Sequence, residues 1–250
     1  YERGALDFEK IEARPVFEGD ILTAMKETGK NRAKNMIEDF MIASNTVTAQ
    51  FLASKGFPSL RRVVKTPGRW DRMVELAREQ GFNLTGEASP KSLAECFKFV
   101  KNNHPGSYTD FTFSILKLIG GGEYILEMPG MEPVGHFGLA VKDYAHSTAP
   151  NRRYPDLITH RLLKAAMNGG KSPYSEEELR IIADNCTKKE DEAKKIERLV
   201  EKSANAMLMQ NRLGEVFDGI ISGAAPKGTW IRIDHPWVEG KLVKGFEGLL

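Results

Sequence analysis

Cysteine is scarce in this sequence: Cys96 and Cys186 are the only two in 250 residues, and they share no spacing motif. That argues against a disulfide framework and against a cysteine-ligated zinc site. No apolar run approaches the roughly 20 residues a bilayer-spanning helix needs, so no membrane association is expected. No secretory signal opens the chain, which makes a cytoplasmic protein the expectation. Excess charge is lacking too. Lys and Arg number 36 against 34 Asp and Glu, leaving a net charge of +2, so no global basic field advertises nucleic acid and any anion site must come from local clustering. Internal repeats and low-complexity tracts are absent. The chain starts at Tyr1 without methionine and stops inside the alternating pattern "VEGKLVKGFEGLL", so it reads as a fragment.

The remainder is ordinary globular material, 41% hydrophobic and 28% charged, long enough for one large domain or a domain plus a small module. "LDFEKIEARPVF" alternates loosely and predicts one or two strands before a turn at "EGD". Residues 32–55 turn helical, with Met36, Phe40, Val47 and Phe51 on one face with Ile37, Met41 and Leu52, and Gly56 as the stop. Glu38 and Asn45 form a polar edge beside that apolar face and, as such, read as a solvated flank. Helices follow in "PGRWDRMVELAREQGF", "SPKSLAECFKFVKNN" and "YTDFTFSILKLIGGGEY", the last closed by Gly120, Gly121 and Gly122. The glycine triplet lacks the preceding strand and the following Lys-Ser/Thr of a phosphate loop. "GHFGLAVKDYAHS" predicts a strand, and "DLITHRLLKAAMNGG" a helix. Two capping boxes come next. Ser175 with Glu178 opens one helix, and Thr187 with Glu190 opens a longer one over 188–211, with Ala193, Ile196, Val200 and Met207 as its core stripe. From Phe217 the pattern alternates like the first strands of a small barrel.

The segment "HSTAPNRRYPDL" stands apart. Pro150 and Pro155 fix φ and remove donors, and Pro155 biases Tyr154 towards extended geometry. The stretch is therefore a stiff loop holding Arg152 and Arg153 in a narrow range of directions. Guanidinium groups stay protonated, and their forks match phosphate oxygens. The plainer reading pairs one arginine with Asp156 and leaves the other on the surface. His160, four residues after Asp156, reads as half of a helix pair rather than as a metal ligand.

The longer stretch "HFGLAVKDYAHSTAPNRRYPDLITHRLL" resembles the signature of the RNB family, the RNase II and RNase R type exoribonucleases, which runs HFGLA, then Y-[TA]-HFTSPIRRYPDL, then HR. "RGALDF", "MIEDFMIASN", "IERLVEKSANAML" and "RLGEVFDGIISGAAPKGTWIRI" also look like family segments and fall in family order. The resemblance is strong in the centre and loose over 57–122. It implies an α+β fold, with part of an RNB catalytic core over residues 1–212 and the truncated start of an OB-type barrel over 213–250. It implies a 3′→5′ exoribonuclease acting on single-stranded RNA through metal-activated water. In that frame Arg152 would stabilise charge on the scissile phosphate, with Arg153 and Tyr154 shaping the same wall. Glu197 would meet the ribose, Tyr144 and His146 would line the pocket floor, and Glu38 and Asn45 would lie close by.

Two departures stand out. Residues 147–151 read S-T-A-P-N where the family has F-T-S-P-I, so an aromatic and an apolar wall are lost. The family's aspartate cluster, which holds Mg²⁺, lies upstream of "RGALDF" and is missing here. Asp39, Asp143 and Asp156 are isolated and the histidines lack ligand spacing, so no metal ligand is assigned. The Mg²⁺ ligands are expected before Tyr1, and this segment alone is expected to be inactive. The alternative is a non-catalytic RNB-fold module that grips single-stranded RNA or a protein partner.

Overall fold

The computed structural model describes residues 5–6, 12–28, 31–84, 86–233, 236 and 238–244. Most of "RGALDF" and the last residues of "VEGKLVKGFEGLL" lie outside them. The chain divides into two compact units, Tyr1–Glu9 with Lys30–Glu190, and Lys10–Gly29 with Asp191–Leu250. This division of packing does not follow the 212/213 boundary drawn from the family segments.

The first unit opens with helix α1 (Arg32–Ser54), whose Asn31 side chain accepts from the Lys34 amide and so satisfies one free helix donor. Strand β3 (Ser59–Val63) pairs antiparallel with β4 (Glu123–Glu127), and the helices α2 (Trp70–Glu79), α3 (Pro90–Asn103) and α4 (Pro105–Ile119) lie between them in sequence. The numbering counts the strands β1 (Glu12–Glu18) and β2 (Ile21–Thr28) of the other unit. The three helices bury Met73, Leu93, Val100 and Ile115 with Leu84 in one core cluster. A second cluster joins Leu52 of α1, Leu60 and Leu126 of the sheet, Ile158 and Leu162 of α5 (Tyr154–Met167), and Leu179 from the start of α6 (Glu176–Met209). Gly120 takes φ 85°, a left-handed stop for α4 that glycine accepts without strain. Gly122 serves a different purpose: a Cβ there would sit 2.8 Å from the Arg62 guanidinium. The triplet is thus a helix stop and a side-chain passage.

The second unit carries the β1–β2 hairpin, turned at Gly19 (φ 62°), and the antiparallel meander β5 (Gly219–Ala225), β6 (Gly228–Ile233), β7 (Val238–Lys241). The meander is compatible with the opening strands of an OB barrel. Alternating helix and strand segments make the chain α+β, as expected.

Four local expectations fail. The predicted strand at "GHFGLAVKDYAHS" is a 3₁₀ turn at Phe137–Leu139, because Gly135 takes φ 77°, Ala140 turns left-handed, and the His136 Nδ1 accepts from the Leu139 amide. Thr187 and Glu190 do not open a helix: α6 runs through them, and their side chains are spent on Tyr124 and Arg62. The apolar stripe of α1 is not its buried face. Met36, Phe40 and Val47 are exposed, whereas Asn45, Ala49 and Leu52 are buried. Likewise Ile196, Val200 and Met207 of α6 are exposed. Periodicity locates an apolar face without saying what covers it, and the described residues of either unit do not cover these. By contrast, Ser175 and Glu178 form the predicted capping box, each side chain taking the other's amide at 3.2 and 2.7 Å.

Candidate functional site

The arginine loop is held at its upstream end through Ser147. Asn45, 1% exposed, accepts from both the amide and the hydroxyl of Ser147 at 2.8 Å and donates to the Tyr144 hydroxyl at 3.2 Å. Asn45 is therefore no solvated flank. Its polar atoms are consumed by residues about 100 positions away, which only the fold could bring there. Thr48, nearly one turn further along α1, places its hydroxyl 3.4 Å from that of Ser147. On the other side, His160 of α5 donates from Nε2 to the Ser147 carbonyl at 2.6 Å.

The downstream end is fixed by Asp156, which is fully buried. Its Oδ1 accepts from the Ala149 amide at 2.8 Å and from Arg153 Nη2 at 2.7 Å. The Ala149 carbonyl accepts in turn from the amides of Arg152 and Arg153. The two arginines are thereby separated in role. Arg153 is neutralised by Asp156 and also donates to Thr148 at 3.2 Å. Arg152 is exposed, and its side chain makes no hydrogen bond or ion pair with any of the described residues. The plainer reading of the pair thus describes its resting geometry, and Tyr154 stands exposed beside it.

Beneath the loop lies an aromatic and imidazole cluster. Tyr144 and His146 meet edge to face at 5.7 Å, Tyr124 and His146 at 5.6 Å, and His136 and Tyr144 at 5.4 Å. Burial, then the nearby Arg153 and Arg62, pushes His146 down to about 3. Burial and Arg62 push His136 down to about 4. Burial also pushes Tyr124 up to about 12 and raises Tyr144. The Tyr124 hydroxyl and His146 Nδ1 share a hydrogen bond of 2.8 Å, its direction set by the imidazole tautomer. Arg62, which no sequence signal singled out, lies 4.8 Å over the Tyr124 ring and binds both Glu190 oxygens, at 2.8 and 2.6 Å. Its amide donates to the Tyr144 carbonyl. Sheet, aromatic cluster and α6 are tied together through it.

Glu38 has other surroundings. It lines a cleft of about 640 Å³ between α1 and the turn at 137–139, with Leu6, Ile42, Thr46, Val47, Leu139 and Val141 among its walls. Glu197 lies exposed on the part of α6 that belongs to the second unit. The structure therefore gathers Asn45, Tyr144, His146 and Arg153 around the loop, sets Arg152 and Tyr154 on its outer side, and keeps Glu38 in a separate cleft. Among the described residues no three His, Cys, Asp or Glu side chains converge as metal ligands. The described residues do not fit a magnesium site by themselves.

Comparison with known proteins decides the family. Residues 1–169 match the RNB domain. The chain belongs to the RNB family. Ribonuclease R of Aquifex aeolicus is 32% identical over 98% of this chain and 34% of its own length. Ribonuclease R 1 of Lactococcus lactis is 31% identical over 95% of this chain and 29% of its own. Mycoplasma genitalium RNase R in complex with ribose-methylated single-stranded RNA superposes with a TM-score of 0.83 at 24% identity, over 96% of this chain and 38% of that one, which is a likeness of fold. The chain spans about a third of the length of the relatives it matches.

Proposed function

We propose that this chain is part of a 3′→5′ exoribonuclease that hydrolyses single-stranded RNA to nucleoside 5′-monophosphates, with Arg152 stabilising charge on the scissile phosphate. The observation that carries the reading is the division of labour within the arginine pair. Arg153 is paired with a fully buried aspartate, while Arg152 stands on a turn pinned on both sides with its fork unengaged by the described residues. An oriented guanidinium gains most when negative charge concentrates on the phosphoryl oxygens, and a preset direction avoids reorganisation at that moment. Family membership and the single-stranded RNA bound to a relative of the same fold support RNA as the polymer.

The other residues take supporting roles. The exposed Tyr154 ring offers a face to a base or ribose beside Arg152. The Glu38 cleft, about 640 Å³, has room for a nucleotide, with apolar walls interrupted by Thr46 and Gln50 and two carboxylates, Glu38 and Asp39, to accept from hydroxyls. Glu197, also an acceptor, is assigned to a ribose 2′-hydroxyl. Magnesium remains part of the reading as the group that would activate water, held by a carboxylate set not found among the described residues, and no step is derived through it.

The test uses the complete polypeptide, uniformly labelled single-stranded RNA and magnesium, with and without chelator. Nucleoside 5′-monophosphates should appear and the chelator should stop them. Arg152→Ala should slow turnover about 10²–10³-fold with RNA affinity little changed. Unchanged turnover in that variant would remove Arg152 from the chemistry. A second reading, a non-catalytic module that holds single-stranded RNA or a protein partner, is favoured by the lack of a metal-ligating group among the described residues. It requires retained binding with no monophosphate released by the complete polypeptide.

A further inference from the structure

Asp156 and His160 stand four apart on α5, and their hydrogen bonds run to the arginine loop rather than to each other. Asp156 takes the Ala149 amide at 2.8 Å, and His160 gives its Nε2 proton to the Ser147 carbonyl at 2.6 Å. One face of α5 thus holds residues 147 and 149, on either side of the bend at Thr148. Asn45 completes the grip from a different helix by taking the Ser147 amide and hydroxyl. The backbone N–H and C=O of Ser147 are thus both held by side chains, one from α1 and one from α5.

Three residues beyond that grip, the Ala149 carbonyl receives the Arg152 and Arg153 amides, so the backbone direction at Arg152 is set by the chain leaving Ser147 and Ala149. Arg152 itself has no side-chain partner among the described residues that could hold it in place. We infer that His160 and Asn45 are positioning residues for Arg152: they touch no substrate and act by fixing the loop that aims its guanidinium. The inference rests on the catalytic reading of Arg152 given above. It also accounts for the polar residue at position 147. A buried hydroxyl there gives Asn45 a second donor, where an aromatic side chain would give none.

A double-mutant cycle in the complete polypeptide separates positioning from general support. Single-turnover RNA hydrolysis, single-stranded RNA affinity and the thermal midpoint are measured for His160→Leu, His160→Gln, Arg152→Ala and the pair His160→Leu with Arg152→Ala. Loss of aim should slow His160→Leu about 10–100-fold, with affinity within about twofold. His160→Gln keeps an N–H donor of similar reach and should recover most of the rate. In the Arg152→Ala background, His160→Leu should add less than about twofold, because the group it aims is gone. Should His160→Leu slow both backgrounds by the same factor, or leave the native rate unchanged, the positioning role is overturned. A His160→Gln variant with a native thermal midpoint and the leucine variant's slow rate would overturn it as well. Arg152→Ala at the native rate is a different failure, since it removes the catalytic reading from which the inference starts.

Discussion

Asn45→Leu is the sharpest stability test, because Leu keeps the branched four-atom side chain and removes every polar contact. Asn45 is 1% exposed and makes three hydrogen bonds, to the Ser147 amide, the Ser147 hydroxyl and the Tyr144 hydroxyl. The Ser147 hydroxyl retains Thr48 nearby. The Ser147 amide and the Tyr144 hydroxyl, on residues each 7% exposed, keep no partner. Each orphaned buried donor costs about 1–3 kcal/mol, and the buried leucine returns roughly 1 kcal/mol of transfer free energy. The net loss should be about 3 kcal/mol. Urea unfolding followed by far-ultraviolet circular dichroism should show a lower midpoint with an unchanged slope. Adding Ser147→Ala to the leucine variant should cost little more, since its bond to Asn45 is already lost. A loss below about 1 kcal/mol would refute the claim that Asn45 holds the loop.

Acid should destabilise the protein through its two buried imidazoles. His146 and His136 titrate near 3 and 4 when folded, against about 6.5 when unfolded, so the unfolded chain binds more protons between those values and stability falls as pH drops below 6.5. Each histidine should cost up to about 2 kcal/mol by pH 5, and His146→Gln should lessen that acid sensitivity in pH-dependent urea unfolding; an unchanged pH profile would contradict the burial argument. Gly122→Ala would place a methyl 2.8 Å from the Arg62 guanidinium and drive it from Glu190, for a loss of about 2–4 kcal/mol in the same assay. Gly121→Ala, with open space around it, should be nearly silent. Arg152→Lys should recover little of the hydrolysis lost in Arg152→Ala, because an ammonium lacks the bidentate fork. Glu197→Ala should alter RNA affinity, or the preference for RNA over an equivalent DNA strand, more than turnover; collapse of turnover alone would contradict its assignment to the ribose.

Local chemistry made part of this protein legible without a structure. The prolines around Arg152 and Arg153 announced a stiff loop, the ordered motif from His136 to Leu163 announced the family, and the Ser175–Glu178 box, the five helical patterns up to Met167 and the Gly19 turn all formed where short-range rules place them. Those features depend on neighbours a few residues apart. The strands β3 and β4 were missed: each is five residues long and buried by packing rather than marked by alternation. Helical periodicity gave α1 and α6 their apolar faces but not their partners, so Met36, Phe40, Ile196 and Val200 are exposed while polar Asn45 is buried. Thr187 and Glu190 carry a capping signature, yet Tyr124 and Arg62, more than 60 residues away in sequence, offer better partners and the helix runs through. The Asp156–His160 spacing was visible, but its use was not, because a helix face shows which residues stand together and only the chain laid across it shows what they hold. Hydrogen-bond satisfaction at Asn45, Ser147 and His160 is set by groups 13 to 102 residues apart. Such distances are closed by tertiary packing, and no local pattern encodes them.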